Sequence, residues 1–343
     1  MERLYLYAHM NHDVDSRVAK YTAMQSRAMA LYVKLSSAVA FAEPELTALD
    51  EDILESLATD ERFKDYDYYF RQLIAGKKHI LSAEEEKLLA SGGEVYAQFQ
   101  NIFSMIDNAD MRFAEVEAQD GSKIRLTHGS YGVILHGSDR ELRRKAFEGY
   151  YDSYIKLANT IAATYYGNVK KDVFLSSARK YDSCLQKALD GEDVKPCVYE
   201  NLLASVNESL PAMHRYIALR GRLLGLEEQH MYDIYAPLVD DAELKLSYEE
   251  ACELVVEGLS PLGEDYCVLL RKGFTEGWVD VCETTGKRSG AYSTGIYGLH
   301  PFVLLNYQPT THDVFTIAHE MGHSLHTYYS NKNQPYAKAD YRI

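Results

Sequence analysis

Runs of apolar residues at intervals of three and four constrain this chain most, because that spacing places the residues on one face of an α-helix. Runs of this kind recur over residues 18–38, about 52–74, 95–106, 147–165, 198–224 and 247–272. No internal repeat and no low-complexity linker separates them. The sequence therefore predicts a mainly α-helical fold.

Capping residues predict where several of these helices begin and end. Asp15 or Ser16 can cap the first run, which should end before Pro44. Ser-x-x-Glu patterns at Ser82–Glu85 and Ser138–Glu141 predict capping boxes at the start of two further helices. We expect the second of these helices to be long and to continue to about residue 165.

Two stretches depart from the helical pattern. Asp120-Gly121 lies between alternating segments at 113–118 and 123–126, which predicts a β-hairpin. Phe302–Leu305 is a short apolar run that predicts a buried strand. It follows a cluster of glycines whose spacing matches no phosphate-binding loop and favours tight turns between strands of a small sheet, namely Gly286, Gly290, Gly295 and Gly298.

The segment 310–329 predicts a helix that carries a histidine pair. Thr310 or Thr311 can cap it, and His319-Glu-Met-Gly-His323 matches the pattern H-E-x-x-H. Residues four apart lie on one side of a helix, so both imidazoles can bind one zinc ion. Glu320 would lie beside the ion without binding it, where a carboxylate can accept a proton from water. The alternative is a pair of structural histidines and an exposed glutamate.

Two neighbours of the motif, Gly322 and His326, also carry predictions. Gly322 is unfavourable inside a helix, so we expect another element to pack closely against it. His326 follows His323 by three residues and shares its face, and we expect it to support the ligands or line a cleft rather than bind zinc. The other histidines receive no role.

Composition excludes several classes of protein. The 343 residues carry a net charge of −15, which argues against a nucleic-acid partner. No apolar run reaches the ~18–20 residues of a membrane helix, and the N-terminus shows no export signal pattern. The five cysteines form no Cys-x-x-Cys pair, so we expect reduced thiols and a cytoplasmic location.

Beyond the motif, the sequence resembles the oligoendopeptidase F group of the M3 zinc oligopeptidases, which includes thimet oligopeptidase-like enzymes. The resemblance covers most of the chain. It is densest over Gly286–Ser293, His300–Tyr307 and Phe315–Ser330, and it extends upstream to Leu126–Gly129 and Lys145–Phe147.

The resemblance implies a helical, two-lobed peptidase fold with a small β element next to the motif helix. It divides the chain into an N-terminal helical region at 1–112 and an incomplete catalytic domain at 113–343. By position, His319 and His323 would bind one Zn²⁺ ion, Glu320 would act as general base, and the strand Gly290-Ala291-Tyr292-Ser293 would pair with the substrate. The substrates implied are short, unstructured oligopeptides that are cut internally.

One departure from the family pattern affects the metal site. The family's third zinc ligand is a glutamate on the helix after the motif helix, and no glutamate follows Glu320 here. Asp340 does not occupy that position. We therefore expect a fragment that is inactive or nearly so by itself, because two histidines hold zinc weakly.

Two other functions remain open from the sequence. A helical protein could capture peptides in a groove without cleaving them, although such a protein has no need of Glu320 beside two metal-spaced histidines. A zinc carboxypeptidase could use the same motif on a similar fold, and it would release single residues from one peptide end.

Overall fold

The computed structural model describes residues 1–239 and 245–341 and is mainly helical, which confirms the predicted fold class. The helices of the first part are α1 (Glu2–Val14), α2 (Ala19–Val39), α3 (Ala42–Thr47), α4 (Glu51–Thr59), α5 (Asp67–Gly76), α6 (Ala83–Ser91) and α7 (Gly93–Ser104). The next are α8 (His128–Leu135), α9 (Arg140–Lys156), α10 (Ala158–Ala178), α11 (Cys184–Asp190) and α12 (Pro196–Leu223). The last are α13 (Tyr248–Gly258), α14 (Glu264–Thr275), α15 (Thr311–Asn333) and α16 (Tyr336–Ala339). Within the described ranges, none of these helices combines the length and apolarity needed to cross a membrane.

The strands form two small sheets. The predicted hairpin is confirmed: β1 (Glu115–Glu117) pairs antiparallel with β2 (Lys123–Arg125), and Gly121 adopts a positive φ of 81° in the turn. In the second sheet, β5 (Phe302–Tyr307) is central, with β3 (Val279–Cys282) parallel to it and β4 (Tyr292–Thr294) antiparallel. This sheet confirms the strand predicted at 302–305 and directly precedes α15.

Helix α15 is the centre of the largest hydrophobic core. Its buried face carries residues at helical spacing, including Ile317, Met321 and Leu325, each about 1% exposed. They pack with Val303 and Leu305 of β5 and with residues of α13 and α14. Separate clusters form around α4 and α5 and between α9 and the β1–β2 hairpin. The motif helix is therefore held by extensive apolar burial.

The predicted single helix over 52–74 is wrong, because the chain breaks between α4 and α5. The Asp60 carboxylate accepts a hydrogen bond from the backbone N–H of Arg62 at 2.8 Å. Phe63 then leaves the helical region, with φ −115° and ψ 17°. A side chain that bonds its own backbone competes with helix continuation, which apolar spacing does not reveal.

The two Ser-x-x-Glu patterns have different outcomes. Ser82 and Glu85 form the predicted capping box at the start of α6. At α9 the cap is Asp139, not Ser138, since its carboxylate accepts from the N–H of Leu142 at 3.0 Å. The long helix predicted to continue to about 165 is also interrupted, at Leu157.

Two further boundaries differ from the prediction. Residues 247–272 form two helices, because Gly263 adopts φ 103° between α13 and α14. Helix α2 begins after Val18, so neither Asp15 nor Ser16 caps it. Ser16 instead donates from both its hydroxyl and its N–H to the carbonyl of Gly286, each at 2.8 Å.

Candidate metal and catalytic site

The motif lies in the middle of α15, whose start is the predicted cap. The Thr310 hydroxyl accepts a hydrogen bond from the Asp313 N–H at 3.1 Å. Because Met321 is on the buried face, His319 is turned outward and is exposed, while His323 is half-buried. The packing face and the histidine face are separate, as the sequence predicts.

The two histidine rings converge on one point. Their Nε2 atoms lie 3.2 Å apart, and the ring planes are nearly perpendicular at 85°. Two nitrogens that share a tetrahedral zinc ion at about 2.0–2.1 Å lie about 3.3–3.4 Å from each other. The pair therefore has the separation that a zinc ion requires of two ligands.

A third ligand is not found in the part of the chain that the structure describes. Within residues 1–239 and 245–341, no group of three or more His, Cys, Asp or Glu side chains is arranged to hold a metal ion. The residues present thus fit two of the three protein positions of a catalytic zinc site.

Glu320 lies between two cavities that meet at the motif. Its side chain is about 8% exposed and lines both. The first cavity, of about 910 Å³, also contains His319 and is walled by α8. The second cavity, of about 940 Å³, contains His323 and is walled by α1. A carboxylate in this position can exchange protons with a molecule that extends through both cavities.

Strand β4 runs beside this junction. The family resemblance implies a strand at 290–293, whereas the observed strand is Tyr292–Thr294, and Gly290 and Ala291 precede it. Gly290 lines the first cavity, Ala291 lines both, and Tyr292 and Ser293 line the second. The Ser293 hydroxyl is 2.8 Å from that of Ser324, the residue after His323. This hydrogen bond fixes the strand directly to the motif helix.

The close approach expected at Gly322 occurs elsewhere. Nothing lies within 4 Å of the position that a Cβ at Gly322 would take, so that prediction is wrong. At Gly295, just after β4, a Cβ would clash with Cγ2 of Thr327 on α15. The glycine that permits close packing is therefore in the sheet segment and not in the helix.

The loop that leads into β4 is held by residues far away in the sequence. Besides the Ser16 contacts with Gly286, the Arg288 N–H donates to the Asp13 carbonyl at 2.7 Å. The Ser289 N–H donates to Oδ1 of Asn108 at 2.8 Å. Two N-terminal segments therefore clamp residues 286–289.

Asp13 is the charged centre of this clamp. Its carboxylate is buried and lies 3.2 Å from Nη1 of Arg288 and 3.3 Å from Nε2 of His9. Burial alone would raise the pKa of Asp13, but His12, His9 and Arg288 outweigh burial and hold it below its ordinary value. Burial and the Asp13 charge both raise the pKa of Tyr292, so its hydroxyl keeps its proton. Sequence reasoning assigned no role to His9 or Asp13.

The far wall of the first cavity also carries a polar group that sequence reasoning missed. His128, on α8, has Nδ1 at 2.7 Å from the hydroxyl of Tyr150 and Nε2 at 3.6 Å from Asp107. The Tyr154 hydroxyl donates to the same carboxylate at 2.7 Å. The only sequence signal here is the family resemblance at 126–129, because the partners are scattered over nearly fifty residues.

His326 is exposed and stacks on Tyr341 at a ring separation of 3.7 Å. The Tyr341 hydroxyl donates to the His323 carbonyl at 2.9 Å. His326 does not line either of the two cavities. Its connection to the histidine pair thus runs through Tyr341.

Comparison with models of known protein families identifies the family of the chain. Its residues 133–343 match the sequence model described as peptidase family M3, and residues 45–113 match the one described as oligopeptidase F. Fold and sequence therefore define a helical peptidase-type protein, and the chain belongs to peptidase family M3.

Individual relatives agree with this assignment. The chain is 42% identical over 342 residues to "Oligopeptidase PepF" of Bacillus subtilis strain 168, covering 99% of this chain and 51% of the relative. It is 43% identical over 345 residues to "Oligoendopeptidase F, chromosomal" of Lactococcus lactis subsp. cremoris, covering 100% and 57%. The crystal structure of oligoendopeptidase-F from Enterococcus faecium matches with a TM-score of 0.70 and 32% identity, over 97% of this chain and 57% of that one. The chain spans about half the length of the curated relatives it matches.

Proposed function

We propose that this chain carries the metal-binding and proton-transfer groups of a zinc-dependent endopeptidase that cleaves short, unstructured oligopeptides. Family M3 membership and the names of the relatives support peptide hydrolysis. The observation that carries the proposal is the convergence of the His319 and His323 Nε2 atoms beside Glu320, at the junction of two cavities.

His319 and His323 would hold the zinc ion through their Nε2 atoms, with each imidazole neutral. When bound, zinc supplies a Lewis acid that polarises a carbonyl and makes water more acidic. The Glu320 carboxylate accepts the proton of the attacking water and passes it to the amine that leaves. Its position at the junction of the two cavities suits this transfer, because a peptide that extends through both would pass directly beside the carboxylate.

Strand β4 would orient the substrate. Within the described residues, β4 pairs with β5 along one edge and stands at the end of its sheet. An extended peptide added to the other edge would form backbone hydrogen bonds without regard to its side chains. Ser293 and Ser324 would keep that edge at a constant distance from the histidines.

The division into an N-terminal region at 1–112 and a catalytic region at 113–343 also remains a proposal. The limits of the two family matches, 45–113 and 133–343, support it. The clamp on residues 286–289 means that the first region would still contribute to the cleft.

We further propose a cytoplasmic location without nucleic-acid or membrane partners. The five cysteines are free thiols, which is typical of a reducing compartment. The net charge of −15 is unfavourable for binding polyphosphates or anionic lipids.

By itself the 343-residue chain should turn over peptides slowly or not at all. The described residues offer two metal ligands where a catalytic zinc site has three, and two imidazoles hold zinc weakly. Ready cleavage of a quenched fluorescent peptide by the purified chain, sensitive to a chelator, would refute this part of the proposal.

The test of the function compares the chain with a fusion that supplies more of the family sequence. We define the remainder as the part of the L. lactis subsp. cremoris relative that lies outside the match, and we join it to this chain through a flexible linker. Zinc content, cleavage rate and product masses are measured for the unmodified chain, for the unmodified fusion and for the fusion that carries Glu320→Gln. The variant should retain zinc and lose cleavage by about 10²-fold or more.

Each outcome decides between functions. Equal cleavage by the parent and Glu320→Gln fusions would show that Glu320 is not the base. Release of single residues from one end would indicate a carboxypeptidase. Tight peptide binding without zinc and without cleavage in the fusion would indicate a binding protein.

A further inference from the structure

Helix α12 presents an apolar face to solvent along its whole length. Its large apolar side chains recur at intervals of three and four, which places them on one side of the helix. Each is 38–62% exposed: Val198, Leu202, Val206, Leu210, Met213, Tyr216, Leu219 and Leu223. The opposite side is polar or small, with Ala204, Asn207 and Arg215. An amphipathic helix of this kind normally buries its apolar face against a partner.

The described residues secure α12 mainly at its C-terminal end. Arg220 is buried and donates to the Ala236 carbonyl, and Gly221 lies against Gln229. Every residue from 196 to 216 is exposed. The free face is therefore continuous over about five turns.

The total exposed area points the same way. The chain exposes 21179 Å², whereas a compact monomer of 39.0 kDa exposes about 14,000 Å². The difference is about 7,000 Å². Each partner in a standard protein–protein interface buries only about 800 Å², so the difference is several times larger than that share. The protein therefore has the surface of a molecule with large unpaired faces.

We propose that the apolar face of α12 docks a helical polypeptide equivalent to the part of the relatives that lies outside the match. The relatives align over 99–100% of this chain but over only 51–57% of their own length. The relatives thus carry, outside the match, a further 43–49% of their own length in the same polypeptide. The exposed apolar side chains of α12 recur at intervals of three and four. A second helix with its own apolar stripe can pack against such a face.

A second copy of this chain is a poorer complement. Two copies each carry −15, and their mutual repulsion opposes association through an apolar strip without compensating cations. The same charge disfavours an anionic membrane surface as the occupant.

The first test measures the accessibility of α12 by maleimide labelling. A cysteine is placed on the apolar face by Val206→Cys, or on the opposite side by Asn207→Cys as the matched control. Both positions are exposed. The other exposed cysteines are first replaced by serine, namely Cys184, Cys197 and Cys282.

Labelling is then compared between the chain alone and the fusion with the remainder defined above. We expect the rate at residue 206 to fall about tenfold or more in the fusion, while the rate at residue 207 stays within about twofold. Equal rates at residue 206 in both proteins would overturn the proposal. This readout does not depend on zinc or on peptide cleavage, so failure of the proposed enzymatic function would leave it intact.

The second test removes the docking face. The remainder is co-expressed as a separate tagged polypeptide and used to capture this chain. The charged variant carries Leu202→Glu, Val206→Glu and Met213→Glu; the control adds the same charge on the polar side with Ala204→Glu, Asn207→Glu and Ala218→Glu.

Capture should fall about tenfold or more for the apolar-face variant only. Circular dichroism should be unchanged, because the substituted residues are exposed. Equal loss in both variants would overturn the proposal. So would a stable dimer of the unmodified chain, detected by light scattering and abolished by the apolar-face variant, since it would identify a second copy as the occupant.

Discussion

Neutralising Asp13 should loosen the loop before β4 although Asp13 lies in the first helix. Asp13→Asn keeps the size of the side chain and removes the charge that faces Arg288 and His9. Hydrogen bonds to charged groups contribute about 1.5–3 kcal/mol. Because Arg288 is 39% exposed and solvent screens its charge, we take the lower end of that range. A loss of about 1.5 kcal/mol corresponds to about tenfold more frequent local opening.

Hydrogen exchange of the backbone amides measures this effect directly. Peptides that cover residues 287–294 should exchange about tenfold faster in Asp13→Asn at pH 7. The matched control is Asp15→Asn, which removes the partly exposed ion pair with Arg17 two residues away. It should change exchange by less than about fivefold. Unchanged exchange at 287–294 in Asp13→Asn would refute the view that the charge holds the loop.

The same contact predicts a pH dependence. The pKa of Asp13 in the folded chain lies below its ordinary value of 3.8, so the charged form is the one that folding favours. Its contribution is fully present above pH 3.8 and is lost as the pH falls through the folded pKa. The difference in stability between the parent chain and Asp13→Asn should therefore shrink below about pH 4. A difference that stays constant down to pH 2.5 would contradict this assignment.

Two comparisons of paired variants test other parts of the site. Gly322→Ala should raise the stability measured by urea unfolding by up to about 1 kcal/mol, because nothing obstructs the new methyl group, whereas Gly295→Ala should lower it through the clash with Thr327. Stabilisation by both would show that β4 is not packed tightly on α15. In competition with a metal-binding dye, His323→Ala should weaken zinc binding at least tenfold, and His326→Ala, which stacks on another ring, should leave it within about threefold. A larger effect at His326 would make it a ligand.

Local features of the fold were predictable where a few neighbouring residues determine them. The Ser82 cap and the cap of α15 each join a side chain to a backbone N–H three residues away. The Asp120-Gly121 hairpin depends on a tight turn between strands that pair within ten residues, and the strand at 302–305 is marked by its own apolar run. The helix breaks at Phe63 and Leu157 were not predicted, because the apolar spacing continues across them.

In the candidate site, too, the local contacts were predictable and the long-range contacts were not. The pair His319 and His323 is readable because helix geometry brings residues four apart together. The contacts of Asp13 with Arg288 and of Asn108 with Ser289 join residues 275 and 181 positions apart. No local pattern encodes such contacts, and only the tertiary structure reveals that α1 and α8 form walls of the cleft.

The contact between Ser16 and Gly286 also sets an order of events during synthesis. The two residues are 270 positions apart, so α1 emerges from the ribosome long before the loop it grips exists. At about 5–20 residues per second, the interval is roughly 15–50 s. Throughout that time the first helix lacks the loop that it contacts, and the wall that α1 contributes to the second cavity can form only after residue 286 has been translated.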